Sequence, residues 1–523
     1  MLSFPKRKYL VGLVAIVACQ SLAAVNVSAQ APAAAAPAAA APAAAPPQRG
    51  PVLPGKEIYT NACSGCHGTD LSGGRAPSLL GEAFLSGMSD EHIATTIQKG
   101  NNDYGMPSFK GVLSDEQTHQ LIVYLRLTAG TMKAQPPFVP SPHGQIVKTK
   151  KQTFRAEVVA SGLETPWGEV FLPDGRLLVT ERSGRLRIIQ NGKLLSDPVK
   201  GTPKVWERQD AGMLDVAIGP NFKKDGWVYL SYTDSDPSWV APAPKPGDNP
   251  NRPPSPPSMT VLIRGHISAK NEWVDSHELF RAPYSLYTPS GAHYGSRFLF
   301  DGKGHLFYSL GERGEFTNAQ NLSNPLGKIH RINEDGSTPT DNPFYNTPGA
   351  DKTIWSYGHR NPQGLTWDPV TGQLWESEHG PTGGDEINII EKGHNYGWGV
   401  ATMGAQTGVT KQHAPGMDDP IVYYSPTIAP SGINFYSGNK YPGWKNSLFV
   451  AALAGQQLKR LEVKDRKVVS QEVIFIQFGR TRQVITGPDG LLYILLQNPT
   501  GGNTGVNLAT STPGMVVRLV PVK

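Results

Sequence analysis

Cysteine is scarce: 523 residues contain only Cys19, Cys63 and Cys66. Three thiols cannot build a disulfide framework, and no second close pair exists to complete a four-ligand zinc site. Excess charge is scarce too. The formal value of +6 falls to +3 once Lys6, Arg7 and Lys8 are set aside as part of a removable leader. No basic tract is interleaved with aromatics, which argues against nucleic acid as a partner. Beyond the first 30 residues no long apolar run occurs, so no membrane-spanning helix is expected. Glycine (57) and proline (46) are plentiful instead, which suits many short strands and turns rather than long helices. The length allows more than one domain.

Residues 1–29 read as a secretory signal. Lys6-Arg7-Lys8 is the basic start, Leu10 to Ala18 the apolar run, and Val27-Ser28-Ala29 a small-residue cleavage site. The apolar run is shorter than the roughly 20 residues that span a bilayer. Ile16-Val17-Ala18-Cys19 also resembles a lipoprotein cleavage box, which would leave Cys19 as a lipidated tether. Either processing gives an exported, periplasmic or secreted protein. Residues 30–50 are Ala/Pro low complexity, an extended spacer.

Residues 51–130 are expected to form a small separate domain. Cys63-Ser64-Gly65-Cys66-His67 has the C-x-x-C-H order of covalent haem c attachment. Two thiols at that spacing reach two vinyl groups of one porphyrin, and His67 supplies an axial nitrogen. Met106, in Tyr104-Gly105-Met106-Pro107, is the expected second axial ligand, whose soft thioether raises the reduction potential. Met88 is the alternative. Ser114 to Gln117 forms a capping box ahead of Leu121, Ile122, Leu125 and Leu127, which predicts a helix there. Both ends of the stretch resemble a class I cytochrome c, implying a small all-α domain that moves electrons.

Residues 131–152 read as a second linker. From 153 to 523 one unit recurs six times, a turn followed by a short apolar strand. Its strands are Leu177-Leu178-Val179, Trp227 to Leu230, Leu306-Phe307-Tyr308, Leu374-Trp375, Leu448-Phe449-Val450 and Leu491 to Ile494. Such recurrence predicts a mainly β fold, a six-bladed β-propeller around a central channel. The Pro-rich run Ala241 to Ser258 reads as a surface insertion.

Ile354 to Trp398 concentrates polar groups: Arg360, Asn361, Gln363, Glu378, Asp385 and Glu386 stand among glycines and short aromatic runs. Polar groups on loops over a rigid sheet are the usual construction of a site. Its motifs HRNPQG, EHGPTGGDEIN and NYGW, in that order, resemble the glucose/sorbosone dehydrogenase family. Members of that family are soluble quinoproteins that use pyrroloquinoline quinone (PQQ) and calcium. The resemblance covers nearly all of 153–523 and implies a six-bladed propeller.

The resemblance also implies a site. His293, in Ser290 to Arg297, matches the histidine that takes the C1 hydroxyl proton as hydride passes to the quinone, a task that needs a base with a near-neutral pKa. Gln209, Arg297, Arg360, Asn361, Arg480 and Arg482 match expected PQQ contacts, cations and amides suited to its three carboxylates. Gly380 and Pro381 would give backbone carbonyls to the calcium beside PQQ. Glu386 and the carbonyl of Tyr396 resemble a second calcium site. Two positions depart from the pattern. Ala292 stands where the family often has His or Asp, and Ala454 where it usually has Lys or Arg.

The expected protein is therefore an exported quinohaemoprotein that oxidises an aldose to its lactone. Electrons would pass to its own haem c and on to an external acceptor such as a cytochrome, a copper protein or a respiratory chain. Residues 51–130 carry five basic and eight acidic side chains, while 131–523 come to about +5. Such opposite signs weakly favour internal docking. Two other classes remain open, since propellers host unrelated chemistries. One is a calcium-dependent lactonase with the cytochrome as passenger, the other a non-catalytic sugar-binding electron carrier.

Overall fold

The second strand of a propeller blade is covered on both faces by neighbouring blades, so it carries a short apolar run rather than a strict alternation. In the computed structural model, all six runs found in the sequence are second strands. They belong to Leu177–Glu181, Val228–Ser235, His305–Leu310, Leu374–Glu378, Leu448–Ala452 and Leu492–Gln497, in blades 1 to 6. The structure describes residues 55–80, 88, 90–101, 105–114, 117, 118, 121, 122, 124, 125, 128, 139–243, 254–381, 384–403, 406, 409, 411, 413–424, 427–497 and 513–522. The signal 1–29 with Cys19, the spacer 30–50, Leu127 and much of the Pro-rich insertion lie outside the described residues.

Five blades are four-stranded antiparallel sheets and the sixth has five strands. Their first strands are Pro166–Phe171, Met213–Ile218, Phe298–Phe300, Pro362–Trp367, Pro430–Phe435 and Arg480–Thr486, and each touches the next around a closed ring. Closure is made by the start of the propeller. Thr153–Leu163 pairs with Gly514–Pro521, placing Phe154 opposite Pro521 and Leu163 opposite Gly514. Within the stretch read as a linker, Ile146–Lys148 adds a fifth, outermost strand by pairing with Thr153–Arg155. The propeller thus begins ahead of residue 153, because a closing strand needs cover on its outer edge.

Aromatic pairs fill most blade seams. Tyr229 meets Phe300, Phe307 meets Trp367, Trp375 meets Phe435, and Phe171 meets Tyr493, with ring centroids 4.9 to 5.5 Å apart. Phe154 of the closing strand packs on Trp444 at 5.7 Å. Blades 1 and 2 join through aliphatic side chains, including Leu178, Ile188, Val216 and Leu230.

Ahead of the propeller, helices Gly55–Ala62, Ser64–His67 and Asp90–Lys99 surround a core of Tyr59, Leu71, Ile93, Ile97 and Phe109. The predicted capping box forms: Ser114 N–H donates to Gln117 Oε1 at 2.9 Å, and Gln117 N–H to Ser114 Oγ at 3.1 Å. Leu121, Ile122 and Leu125 behind it are helical and buried in the same core. Residues 53–523 pack as one compact unit. Among the described residues, no helix is long and apolar enough to cross a membrane.

Candidate active site

The expected base and the expected PQQ contacts all stand just before or at the start of a first strand. Gln209 precedes Met213–Ile218, His293 and Arg297 precede Phe298–Phe300, Arg360 and Asn361 precede Pro362–Trp367, and Arg480 and Arg482 open Arg480–Thr486. Antiparallel pairing brings the ends of second strands to the same rim, which adds Glu312 and Glu378 to Pro381. The ring therefore gathers residues distant in sequence at one mouth of the channel.

His293 is buried and has φ +59°, a left-handed conformation that residues other than glycine seldom adopt. Its Nδ1 lies 2.6 Å from Glu312 Oε1. A carboxylate only accepts, so Nδ1 carries the proton and Nε2 keeps a lone pair. Burial pushes the His293 pKa down and Arg360 adds to this, against Glu312 and Asp210, which raise it. Burial works against the Glu312 charge, yet His293 and Arg360 hold its carboxyl below the ordinary value. Glu312, the partner of His293, is not singled out by the motifs read in the sequence.

Arg360, Asn361 and the His293 loop are tied together. Glu312 N–H donates to the Arg360 carbonyl at 2.9 Å, and Gly295 N–H to Asn361 Oδ1 at 3.1 Å. Gln363 links two further cations: its Oε1 accepts from Arg482 Nη1 at 2.8 Å and its carbonyl from Arg297 Nε at 2.9 Å. Both guanidiniums stack on Trp167, at 4.3 Å for Arg297 and 5.3 Å for Arg482. Arg297 also pairs with Asp215 at 2.8 Å, so much of its donor capacity is already used.

The donor set fits an anionic, polycarboxylate cofactor. Arg360 Nε, Arg480 Nε, Arg482 Nε, Arg297 Nη2, His379 Nε2 and Trp398 Nε1 are buried without a hydrogen-bond partner. Burial lowers the Arg480 pKa to about 10 and drives that of Arg482 well down, with the Arg480 charge adding to the second shift. Stacked cations with orphaned N–H groups call for a ligand of negative charge. Ala454 leaves no cation at its position; it is buried, its N–H donating to the Ile428 carbonyl at 3.0 Å.

An acidic pocket lies alongside. Gly380, Pro381, Glu386 and Tyr396 line one small pocket together with Arg360, Glu378 and Trp398. Behind it, Asn388 Nδ2 donates to Glu376, Glu378 and Glu386 at 3.1, 3.4 and 3.2 Å. Glu376 Oε1 and Asn388 Oδ1 are buried with no partner. Burial raises the pKa of Glu376 and of Glu386 well above the ordinary range, and Glu378 adds to both. Three carboxylates surround one amide, and their hard oxygens suit calcium.

In the domain that carries C-x-x-C-H, His67 Nδ1 lies 3.0 Å from the Pro77 carbonyl. The carbonyl fixes the proton on Nδ1 and leaves Nε2 for iron. Met106 packs on the same core as Cys63, whereas Met88 is 41 % exposed, so the packing favours Met106.

Three glycines of this domain lie against the propeller rim. A Cβ on Gly65, inside the C-x-x-C-H motif, would collide with Thr427 Cγ2. Thr427 in turn donates to Asp385 Oδ2 at 2.6 Å, and Asp385 Oδ1 accepts the Gly380 N–H at 2.9 Å. A Cβ on Gly74 would lie 3.4 Å from Arg480 Nη1, and one on Gly105 3.7 Å from Gln209 Nε2. Arg75 pairs with Asp210 at 3.9 Å, a cation of the acidic domain on an acid of the basic one, opposite to the domains' net charges. No sequence signal marks Arg75 or Thr427, since docking alone brings them to the site.

Comparison with known proteins gives the family. Residues 163–504 match the glucose/sorbosone dehydrogenase family, and residues 50–125 match subunit III of cbb3-type cytochrome c oxidase. The aldose sugar dehydrogenase YliI of Escherichia coli (strain K12) is 39% identical over 358 residues, 67% of this chain and 91% of the relative. The apo crystal structure of the soluble aldose sugar dehydrogenase from Escherichia coli superposes with a TM-score of 0.62 at 35% identity, over 71% of this chain and all of that one. The PQQ-bound aldose sugar dehydrogenase from Streptomyces coelicolor gives 0.55 at 27% identity, over 72% of this chain and all of that one. The chain belongs to the glucose/sorbosone dehydrogenase family, as a PQQ-type sugar dehydrogenase preceded by a cytochrome c domain.

Proposed function

We propose that the protein oxidises an aldose to its lactone with PQQ and calcium in the channel mouth, and that the electrons pass to its own haem c before reaching an external acceptor. The observation that carries the internal electron path is the seating of Gly65, Gly74 and Gly105 against Thr427, Arg480 and Gln209. It brings the haem-attachment segment and the Met106 loop to the rim that bears the expected PQQ contacts. Glycine permits that approach because it has no Cβ.

His293 is the base in this reading. Glu312 fixes its tautomer, and the free Nε2 takes the C1 hydroxyl proton as the substrate loses hydride. Arg360, Arg480 and Arg482 would hold the cofactor carboxylates through their orphaned N–H groups, with Gln209 and Asn361 offering amides. Gly380, Pro381, Glu386 and Tyr396 would hold calcium. When bound, PQQ supplies the hydride-accepting quinone, calcium polarises it, and haem supplies a one-electron carrier. Export is part of the proposal, supported by the basic and apolar start of the chain; secretion and a lipid tether at Cys19 both fit.

A visible spectrum of the PQQ- and calcium-loaded protein tests the reading against a panel of aldoses. Haem bands that sharpen to the reduced form only when PQQ, calcium and sugar are all present support it. Calcium-dependent turnover without PQQ or an electron acceptor would instead identify a hydrolase.

A further inference from the structure

Three parts of the molecule meet at Gln209 and Asp210. Gln209 has φ +55° and His293 φ +59°, so both rely on neighbours to hold a backbone shape that their side chains disfavour. Asp210 supplies part of that hold. Its N–H donates to the Gly291 carbonyl at 3.0 Å, and its Oδ2 accepts the His293 N–H at 3.4 Å. The approach is close enough that a Cβ on Gly291 would collide with Gln209 Oε1. The loop bearing the expected base and the turn bearing an expected cofactor amide are therefore in direct contact.

The third part is the cytochrome domain. Arg75 Nη2 lies 3.9 Å from Asp210 Oδ2, with both side chains only 33% exposed. A Cβ on Gly105 would sit 3.7 Å from Gln209 Nε2 and 3.9 Å from Arg75 Nη2, so the two loops flanking the haem site converge on this one turn. Arg75 is held firmly from its own side. Ala76 N–H donates to the Cys66 carbonyl at 2.9 Å, and Gly74 N–H to the Ala76 carbonyl at 3.0 Å. Arg75 is the tip of a loop anchored on a haem-attachment cysteine.

We propose that Arg75 is a positioning residue for sugar oxidation: through Asp210 it holds the Gln209–Asp210 turn against the His293 loop, so that a docked cytochrome domain sets the working position of the base. Arg75 touches no substrate and acts only through Asp210. The inference rests on the sugar-dehydrogenase reading above and adds a consequence to it. Docking of the cytochrome domain tunes proton removal as well as receiving electrons.

The test uses the full chain, loaded with haem, PQQ and calcium, and the fastest aldose of the panel. A small soluble redox dye collects the electrons, so that turnover no longer depends on the haem. Arg75→Ala is expected to lower the dye-linked kcat by about fivefold, the upper reach of a part-exposed ion pair, with KM for the sugar nearly unchanged. Arg75→Lys, which keeps the charge, is expected to recover most of the lost rate. An unaltered haem spectrum in both variants reports an intact cytochrome domain. A kcat for Arg75→Ala close to wild type overturns the proposal, whether or not haem reduction slows. So does an Arg75→Lys variant as slow as the alanine. Absence of sugar-dependent dye reduction in the wild-type protein would instead remove the parent reading, and this one with it.

Discussion

At the scale of single residues, the His293–Glu312 pair sets both the direction and the pH dependence of the proposed chemistry. A buried imidazole whose Nδ1 is engaged by a carboxylate has one nitrogen left for substrate. His293→Asn keeps the approximate shape and removes the base, so sugar-driven reduction should fall by about 10²- to 10⁴-fold, while PQQ binding measured by equilibrium dialysis persists. The sign of the pH effect follows from the surroundings. Burial and Arg360 favour the neutral form, and Glu312 and Asp210 oppose them without reversing the shift. A lowered pKa keeps the base free of its proton to lower pH, so the acid limb of dye-linked kcat/KM should lie below the ordinary value of about 6.5. Replacing Glu312 with Gln removes a group that favours the imidazolium. The same limb should then move to still lower pH, with a lower plateau because the ring orientation is less well fixed. A limb that moves to higher pH would contradict this account. Ala292, a departure from the family pattern, offers its carbonyl to Arg313, an interaction that requires no particular side chain.

At the scale of elements, legibility followed burial. Second strands such as Leu448–Ala452 are buried along their whole length, and each was found as an apolar run. Outer strands such as Trp273–Arg281 and Lys467–Ile476 expose much of their length and carried no comparable signal. The closing strand Thr153–Leu163 was not recognisable, since its role depends on Gly514–Pro521 more than three hundred residues away. Its edge strand Ile146–Lys148 looked like linker for the same reason. Within the site, residues such as Arg360, Asn361 and Glu386 could be read because they stand in contiguous motifs of one segment, whereas Arg75 and Thr427 acquire meaning only through packing between domains. Gly65 is the sharpest case. In the sequence it is a spacer between two haem cysteines, and in the structure it is the point where the short helix Ser64–His67 meets Thr427. Gly65→Ala should push that helix off the rim. Stopped-flow measurement should then show sugar-driven haem reduction slowed far more than dye-linked turnover. Equal slowing of the two would mean that the helix contact has no bearing on the electron path.

At the scale of the whole molecule, the ring is closed by a strand that lies just after the cytochrome domain, so the junction serves two tasks. Thr153–Leu163 covers the edge of Gly514–Pro521, and without it that edge would expose unpaired backbone groups. The strand also carries Phe154, fully buried against Trp444. Loss of such an aromatic alone costs about 3–5 kcal/mol, a large part of the 5–15 kcal/mol that typically holds a domain together. Where the chain is cut therefore decides whether a propeller remains. A chain starting at residue 139 loses the cytochrome domain and keeps both Ile146–Lys148 and the closing strand. It should be soluble, unfold in one cooperative transition and still bind PQQ. A chain starting at residue 153 keeps closure and loses only the outermost strand, so its Tm should fall modestly. A chain starting at residue 165 lacks closure and should aggregate or unfold well below the other two. Thermal unfolding of the three checks the order, and a residue-165 chain as stable as the residue-139 chain would show that the ring closes without its N-terminal strand.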